Sequence, residues 1–175
     1  MYETGNIKQE RLREQIRALR SENRIAILAA LSALRSTGNV SVLPELFNLL
    51  HEQEDEQIRS EIISILNDLK EKDAVPVLAD AIRNPENSGI LTILVASCWQ
   101  NGLDYSNYID TFVEVIFNAP YEVAIEAFTV IEDSIGALAP GERDRLISIF
   151  KERMQEADPL RKPLIGELLR VMVHY

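Results

Sequence analysis

The feature that most restricts the fold of this 175-residue chain is an internal repeat of 32 to 35 residues. Segment 43–50 (LPELFNLL) aligns with segment 75–82 (VPVLADAI) at an offset of 32 residues. In the segments that follow, three apolar positions align at the same offset: Ile58, Ile62 and Leu66 with Ile90, Leu94 and Cys98. Weaker matches continue upstream at an offset of 35 and downstream at 34. Such a period predicts a stacked array, since each unit leaves an apolar face that only a neighbouring unit can bury.

Helical spacing of apolar residues runs through almost every segment, and no segment alternates convincingly with the period of a β-strand. We predict an all-α fold with ten helices, at about residues 6–20, 22–36, 41–51, 55–70, 73–83, 88–101, 105–118, 120–136, 140–156 and 159–173. Capping residues support these limits, with side-chain oxygens at N-termini and glycines after C-termini. The predicted caps are Ser41, Asp55, Asp73 and Ser88, and the predicted stops are Gly38, Gly102 and Gly136. Pro163 indicates that the last helix either kinks or begins later than residue 159.

The repeated motifs at 43–46 and 75–78, with Ile58-Arg59 opening a second helix, resemble the HEAT-repeat family. The resemblance is strongest to the short HEAT-like repeats named after the phycobilisome lyases, and is clearest from residue 24 to residue 133. It implies a right-handed α-solenoid of about five helix pairs, a HEAT-like or armadillo-type superhelix. We assign residues 1–20 to an N-terminal capping helix, 21–136 to the best-matching repeats and 137–175 to a C-terminal helix pair.

The charge of the chain is unevenly distributed. No lysine or arginine occurs between Arg83 and Arg143, whereas this interval holds nine carboxylates and so carries nearly all of the net charge of −10. Nucleic-acid binding is disfavoured, because it requires a basic groove and the only basic cluster lies on the first helix. A strongly acidic surface instead attracts basic partners.

Motifs of catalysis or metal binding are scarce. The two histidines, His51 and His174, are far apart, and the single cysteine, Cys98, lies in an apolar run that predicts a buried small side chain. We therefore predict a protein that is not an enzyme and that binds no cofactor or metal. The carboxylate-rich turn after His51 reads as a solvated loop. The N-terminal residues lack a secretory signal and no segment is long enough to span a membrane, so we expect a cytoplasmic protein.

Three carboxylates in the acidic interval share one helical face: Glu122, Glu126 and Asp133. This face is either an ordinary solvated surface or a partner-binding surface, with a catalytic carboxylate pair as a third reading. The family resemblance implies that this second helix of its pair lines or borders the concave surface. Trp99 and Tyr105 are nearby candidates for aromatic anchors, because aromatic side chains dominate interface energetics. Core packing is the alternative for Trp99.

The leading functional hypothesis is a protein–protein interaction scaffold or adaptor whose acidic solenoid surface takes a basic or helical segment of a partner. One alternative is a self-associating structural protein, because the apolar last helix offers a face for a homodimer. Another is a lyase or cofactor-carrier subunit, which is implied only by the lyase branch of the resemblance. No membrane contact is expected.

Overall fold

The computed structural model describes residues 2–37 and 40–174, and within residues 2–8 and at Thr37 it describes the backbone alone. These ranges contain ten α-helices and four short 3-10 turns and no strand, which confirms the predicted all-α fold. The helices are α1 (Tyr2–Leu19), α2 (Arg24–Thr37), α3 (Leu43–Glu52), α4 (Glu56–Asn67), α5 (Ala74–Arg83), α6 (Leu91–Asn101), α7 (Ile109–Asn118), α8 (Tyr121–Ser134), α9 (Pro140–Met154) and α10 (Lys162–His174). The turns are Val40–Val42, Pro85–Ile90, Ser106–Tyr108 and Ile135–Ala137.

Consecutive helices pack as five pairs, from α1 with α2 to α9 with α10. The even-numbered helices form one layer, in which α2, α4, α6, α8 and α10 contact one another in order. The odd-numbered helices form the second layer, with direct contacts between α1 and α3 and between α5 and α7. The chain is thus an α-solenoid, as predicted. Its right-handed sense and its division at residues 20 and 136 remain predictions.

A continuous apolar core fills the space between the two layers. Each helix from α2 to α10 contributes at least one side chain with 0–1% exposure: Leu31, Leu46, Ile62, Leu78, Leu94, Phe112, Ile131, Leu146 and Leu168 are examples. Burying one such side chain contributes about 1.5–3 kcal/mol. Helix α6, which carries no charged residue, packs against α4, α5 and α8. A helix that is apolar almost all round must be covered on several sides, and these contacts cover it.

Two of the predicted helix-end signals are confirmed. The Asp55 carboxylate accepts hydrogen bonds from the backbone N–H groups of Gln57 (2.9 Å) and Ile58 (3.1 Å), and so caps α4. Gly102 follows α6 with φ +67°, the left-handed conformation that L side chains rarely adopt. The last helix begins at Lys162, which places Pro163 in its first turn, where a missing N–H costs little.

Three other predicted ends, at Ser41, Ser88 and Gly136, are wrong because these residues lie in 3-10 turns next to the helices. Ser88 lies inside the turn Pro85–Ile90, so that Ile90 occupies the N-cap of α6, and Gly136 lies inside the turn that continues α8. Asp73 stands at the N-cap of α5 but its side chain makes no capping hydrogen bond. Ser41 lies in the turn before α3, whose N-cap is Val42, and Gly38 lies outside the described residues.

Asp55 makes one element of stability dependent on pH. Hydrogen bonding from Arg24, with a smaller contribution from the Ile58 N–H, holds the pKa of this carboxyl below its ordinary value of 3.8. A lowered folded-state pKa means that the stabilisation is complete above the ordinary value and is lost as the pH falls through the folded-state pKa. We expect Asp55→Ala to lower the thermal midpoint at pH 7 and to leave it less changed near pH 2. Glu54→Gln, which removes an exposed carboxylate from the same loop, is the control. An equal loss at both pH values would contradict the assignment.

Candidate partner-binding surface

The three predicted carboxylates lie on the outer side of α8. This helix buries the opposite side, including Ala124, Ala127 and Ile131, against α7 and against its neighbours α6 and α10 in the even layer. The carboxylates project within about 40° of one another around the helix, given 100° per residue. We call Glu122, Glu126 and Asp133 the acidic face. Glu122 and Asp133 are exposed and form no ion pair with any residue whose side chain the structure describes, while Glu126 is partly buried.

Trp99 lies beside the acidic face. Its side chain is 37% exposed, and its indole N–H donates a hydrogen bond of 2.6 Å to a carboxylate oxygen of Glu126 across the α6–α8 boundary. A charge-assisted bond of this length fixes the plane of the indole. The structure therefore brings Trp99 and the acidic face together and leaves part of the aromatic ring open to solvent.

Tyr105 is placed differently, and its prediction as a surface anchor needs correction. The ring is 1% exposed and meets the Phe112 ring edge-on with centroids 5.5 Å apart, so it packs in the core and is not a surface anchor. Its hydroxyl accepts a hydrogen bond of 3.0 Å from the side-chain amide of Asn101. Burial raises the pKa of Tyr105, and it raises the pKa of the neighbouring Cys98 thiol to about 12. The prediction that Cys98 is a buried small side chain is confirmed.

A pocket of about 410 Å³ opens next to Trp99. It lies where the C-terminal turns of α6 and α8 meet the loop that connects α6 to α7, and we call it the α6–α8 pocket. Its wall contains Asp133 of the acidic face and, from the loop, Asp104. The other lining residues are Cys98, Trp99, Gly102, Leu103, Tyr105, Val130, Ser134 and Ala137. The acidic face and the pocket thus share a boundary at Asp133.

Folding neutralises several other carboxylates of the acidic interval. Asp110 and Glu114 on α7 pair with Arg145 (2.6 Å) and Arg153 (2.5 Å) of α9, and Arg145 also binds Glu142. Glu132 lies close enough to Arg170 of α10 to raise the pKa of that guanidinium, after the larger effect of Glu167. Of the six carboxylates in this interval that form no ion pair with a described side chain, Glu122, Glu126 and Asp133 share the acidic face, and Glu86, Asp104 and Glu132 lie elsewhere.

The two arginines of α9 that pair with α7 were not predicted, although the sequence holds a signal for them. The paired residues are 35 and 39 positions apart, which is close to one repeat. Asp110 and Glu114 also lie one helical turn apart, and Arg145 and Arg153 about two turns apart, so that each pair shares a helix face. The repeat period together with the helical spacing is the signal by which these ion pairs could have been found.

The even layer carries further polar contacts between neighbouring helices. Arg35 of α2 pairs with Glu61 of α4 at 3.2 Å, and the amide of Asn67 on α4 donates to that of Gln100 on α6 at 2.8 Å. The bond from Trp99 to Glu126 continues this series from α6 to α8. These contacts join the even-numbered helices from α2 to α8, and the last of them involves Glu126 of the acidic face.

The carboxylate-rich turn after His51 has other roles. Asp55 caps α4 and binds Arg24 at 2.7 Å, and the His51 ring contacts the side-chain oxygen of Asn87 at 3.0 Å. Within the residues that the structure describes, no group of three or more histidine, cysteine, aspartate or glutamate side chains is arranged to hold a metal ion. The described helices are also too short or too polar to cross a membrane.

The last helix buries its apolar stripe within the array. Ile165, Leu168 and Met172 are 0–1% exposed, whereas Leu160 and Val173 are about two-thirds exposed (65% and 63%). Single exposed apolar side chains are normal on a monomer. Self-association through this helix remains a prediction.

Stacked helix pairs that contact their neighbours define this chain as a helical-repeat protein. Residues 11–97 match the family model of the HEAT repeats, from α1 to the middle of α6. The chain is a HEAT-like repeat protein, and HEAT repeats are generally protein-interaction scaffolds. A comparison with curated proteins gives no match. The family match ends before α7, where the proline of the first helices is replaced by Asp110.

Proposed function

We propose that this protein is a non-enzymatic interaction scaffold that binds a basic segment of a partner protein through the acidic face of α8. The observation that supports this proposal most strongly is the pair of exposed carboxylates of Glu122 and Asp133, which no cation of the described chain neutralises. Like charges spaced along one helix destabilise it by a few tenths of a kcal/mol unless a cation approaches. A basic partner relieves that repulsion.

The position of α8 in the even layer favours a groove. The even-numbered helices pack against one another along the whole array and more closely than the odd-numbered helices do. In a curved stack of helix pairs, the layer with the closer spacing lies on the inner side, where solenoids present extended concave binding surfaces. The acidic face then borders the concave surface, beside Trp99.

Electrostatics also selects against other classes of partner. Nucleic acid would bring phosphates towards the unpaired carboxylates, which repel them. A cofactor-carrying role has no support beyond the family resemblance. A basic peptide, by contrast, is attracted over a distance of about one Debye length, roughly 8 Å at physiological salt, and is then held at short range.

The test uses a fluorescein-labelled amphipathic peptide of about 18 residues, or five helical turns, with lysines along its polar face. We expect its fluorescence polarisation to rise on titration with the protein. The variant with Glu122→Gln, Glu126→Gln and Asp133→Asn should bind about tenfold more weakly, since three exposed ion pairs are lost. Glutamine at position 126 can still accept the Trp99 hydrogen bond, so the fold should be retained.

The matched control neutralises three exposed glutamates on or after α1: Glu10, Glu14 and Glu22. It changes the net charge by the same amount but leaves α8 intact, and we expect less than a twofold loss of affinity. Equal losses in the two variants would show a general charge effect and contradict the proposal, as would the absence of binding by the native protein. Circular dichroism of both variants checks that the helices are retained.

A further inference from the structure

We infer that the α6–α8 pocket is a receptor for one arginine side chain of the partner segment, an assignment that rests on the proposed function. The pocket combines an aromatic wall, an unpaired carboxylate and two helix C-termini. A guanidinium group can use all three together.

The aromatic wall is Trp99. Its indole N–H donates to Glu126 at 2.6 Å, and Trp99 is also one of the residues that line the pocket. Glu126 and Asp133 are seven residues apart, about 10 Å along the helix axis. Trp99 and Asp133 therefore offer an aromatic side chain and a carboxylate in the lining of one cavity. Cations are attracted to the faces of aromatic rings, and tryptophan is the best of these rings.

Helix ends add to the negative potential. Helix α6 ends at Asn101 and α8 ends at Ser134. Gly102, which follows α6, and Ser134 both line the pocket. Each C-terminus carries the equivalent of about half a negative charge. A cation already binds at the C-terminus of α6, where the Lys70 ammonium group donates a 2.9 Å hydrogen bond to the carbonyl of Asn101.

The negative charge of the Asp104 carboxylate is partly compensated by groups of the chain itself. The backbone N–H of Ser106 donates to its carboxylate at 2.9 Å and is the largest cause of a lowered pKa, to which Lys72 also contributes. Asp133 lines the pocket from α8 and forms no ion pair or hydrogen bond among the described side chains. The site that remains for an external cation is thus the space between Trp99 and Asp133.

Arginine fits this space better than lysine does. The guanidinium is planar, so it can stack on the indole while its edge donates two parallel hydrogen bonds to one carboxylate. A lysine ammonium is a point charge that can satisfy Asp133 but cannot stack. The volume of about 410 Å³ admits a long side chain together with ordered water.

The experiment uses the lysine-bearing peptide of the previous section with one central position occupied by arginine, lysine or neutral citrulline. Trp99 is the only tryptophan of the chain, so its fluorescence reports directly on the pocket. We expect the arginine peptide to change Trp99 emission and to bind about tenfold more tightly than the citrulline peptide. Asp133→Asn should lower the ratio of arginine-peptide to citrulline-peptide affinity by about tenfold. The control Glu132→Gln, which removes an adjacent charge outside the pocket, should change this ratio less than twofold.

The outcomes separate this inference from the proposed function. If all three peptides bind alike by polarisation and leave Trp99 emission unchanged, the pocket assignment is overturned while the acidic face stands. Equal binding of the arginine and lysine peptides, both tighter than citrulline, would overturn the choice of arginine. If no peptide binds, both proposals fail. A Trp99→Leu variant, followed by polarisation alone, should lose the preference for arginine over lysine and keep the helical circular-dichroism signal.

Discussion

Replacing Phe112 by alanine is expected to destabilise the protein by about 3–5 kcal/mol, the usual cost of removing a buried phenylalanine ring. The side chain is 0% exposed in the centre of α7, and its ring supports the buried Tyr105 ring edge-on. The cavity cannot collapse easily, because packed helices surround it on both layers. For a chain of this size the thermal midpoint should fall by roughly 6–20 °C, measured by circular dichroism at 222 nm.

The matched control is Ile125→Ala on α8, where the side chain is 43% exposed. It also shortens an apolar side chain but opens no cavity, so we expect the midpoint to change by only a small fraction of that shift. Phe112→Leu should fall between the two, because it removes less volume. A loss for Phe112→Ala no larger than that for Ile125→Ala would mean that α7 does not pack as described.

Arg161→Met is expected to cost about 2–4 kcal/mol, because hydrogen bonds that involve a charged group contribute about 1.5–3 kcal/mol each. The Arg161 guanidinium, in the connection between α9 and α10, donates to the backbone carbonyls of Ile116 and Ala119. Carbonyls in the last turn of a helix have no partner within the helix. Arg161 therefore closes the end of α7 and joins the fourth helix pair to the fifth. Urea unfolding followed by circular dichroism measures the loss.

The control for this prediction is Arg170→Met on α10. Arg170 is exposed and binds Glu167 one turn away on its own helix, so its loss should change the unfolding midpoint little. Arg161→Lys should recover part of the stability, since an ammonium can reach one carbonyl but not bridge two. An Arg161→Met variant as stable as Arg170→Met would contradict the role assigned to Arg161.

Helix number and pairing followed from the sequence because both depend on apolar spacing and on the repeat. The alignment of Leu46 with Leu78 and of Ile62 with Leu94 identified side chains that the structure buries completely. Helix ends were predicted less well. Asp55 caps its helix through bonds to residues two and three positions away, whereas Ser88 and Gly136 lie inside 3-10 turns. The turn with Ser88 begins at a local signal that the prediction did not use, the Asn84 side chain, which accepts a hydrogen bond from the N–H of Glu86.

Helical spacing also predicted part of the candidate site. Helical spacing was enough to place Glu122, Glu126 and Asp133 on one face, and the structure puts Trp99 beside them. Tyr105 was missed as a core residue because an aromatic ring with a hydroxyl suits a surface as well as an interior. Its amide partner, Asn101, lies only four residues earlier, just before the turn at Gly102. The pocket itself arises from two helix ends about 30 residues apart, which no local pattern reveals.

The stacking of helix pairs also has a mechanical consequence. The main contacts join neighbouring pairs, so a force that pulls the two ends apart is carried in series by four interfaces. If each helix pair rotates slightly against the next, these rotations add up along the array and lengthen it before any pair unfolds. On the even side, the interface between the third and fourth pairs is spanned by the bond from Trp99 to Glu126. Extension of the array would lengthen that hydrogen bond, so the emission of its single tryptophan would report on the extension.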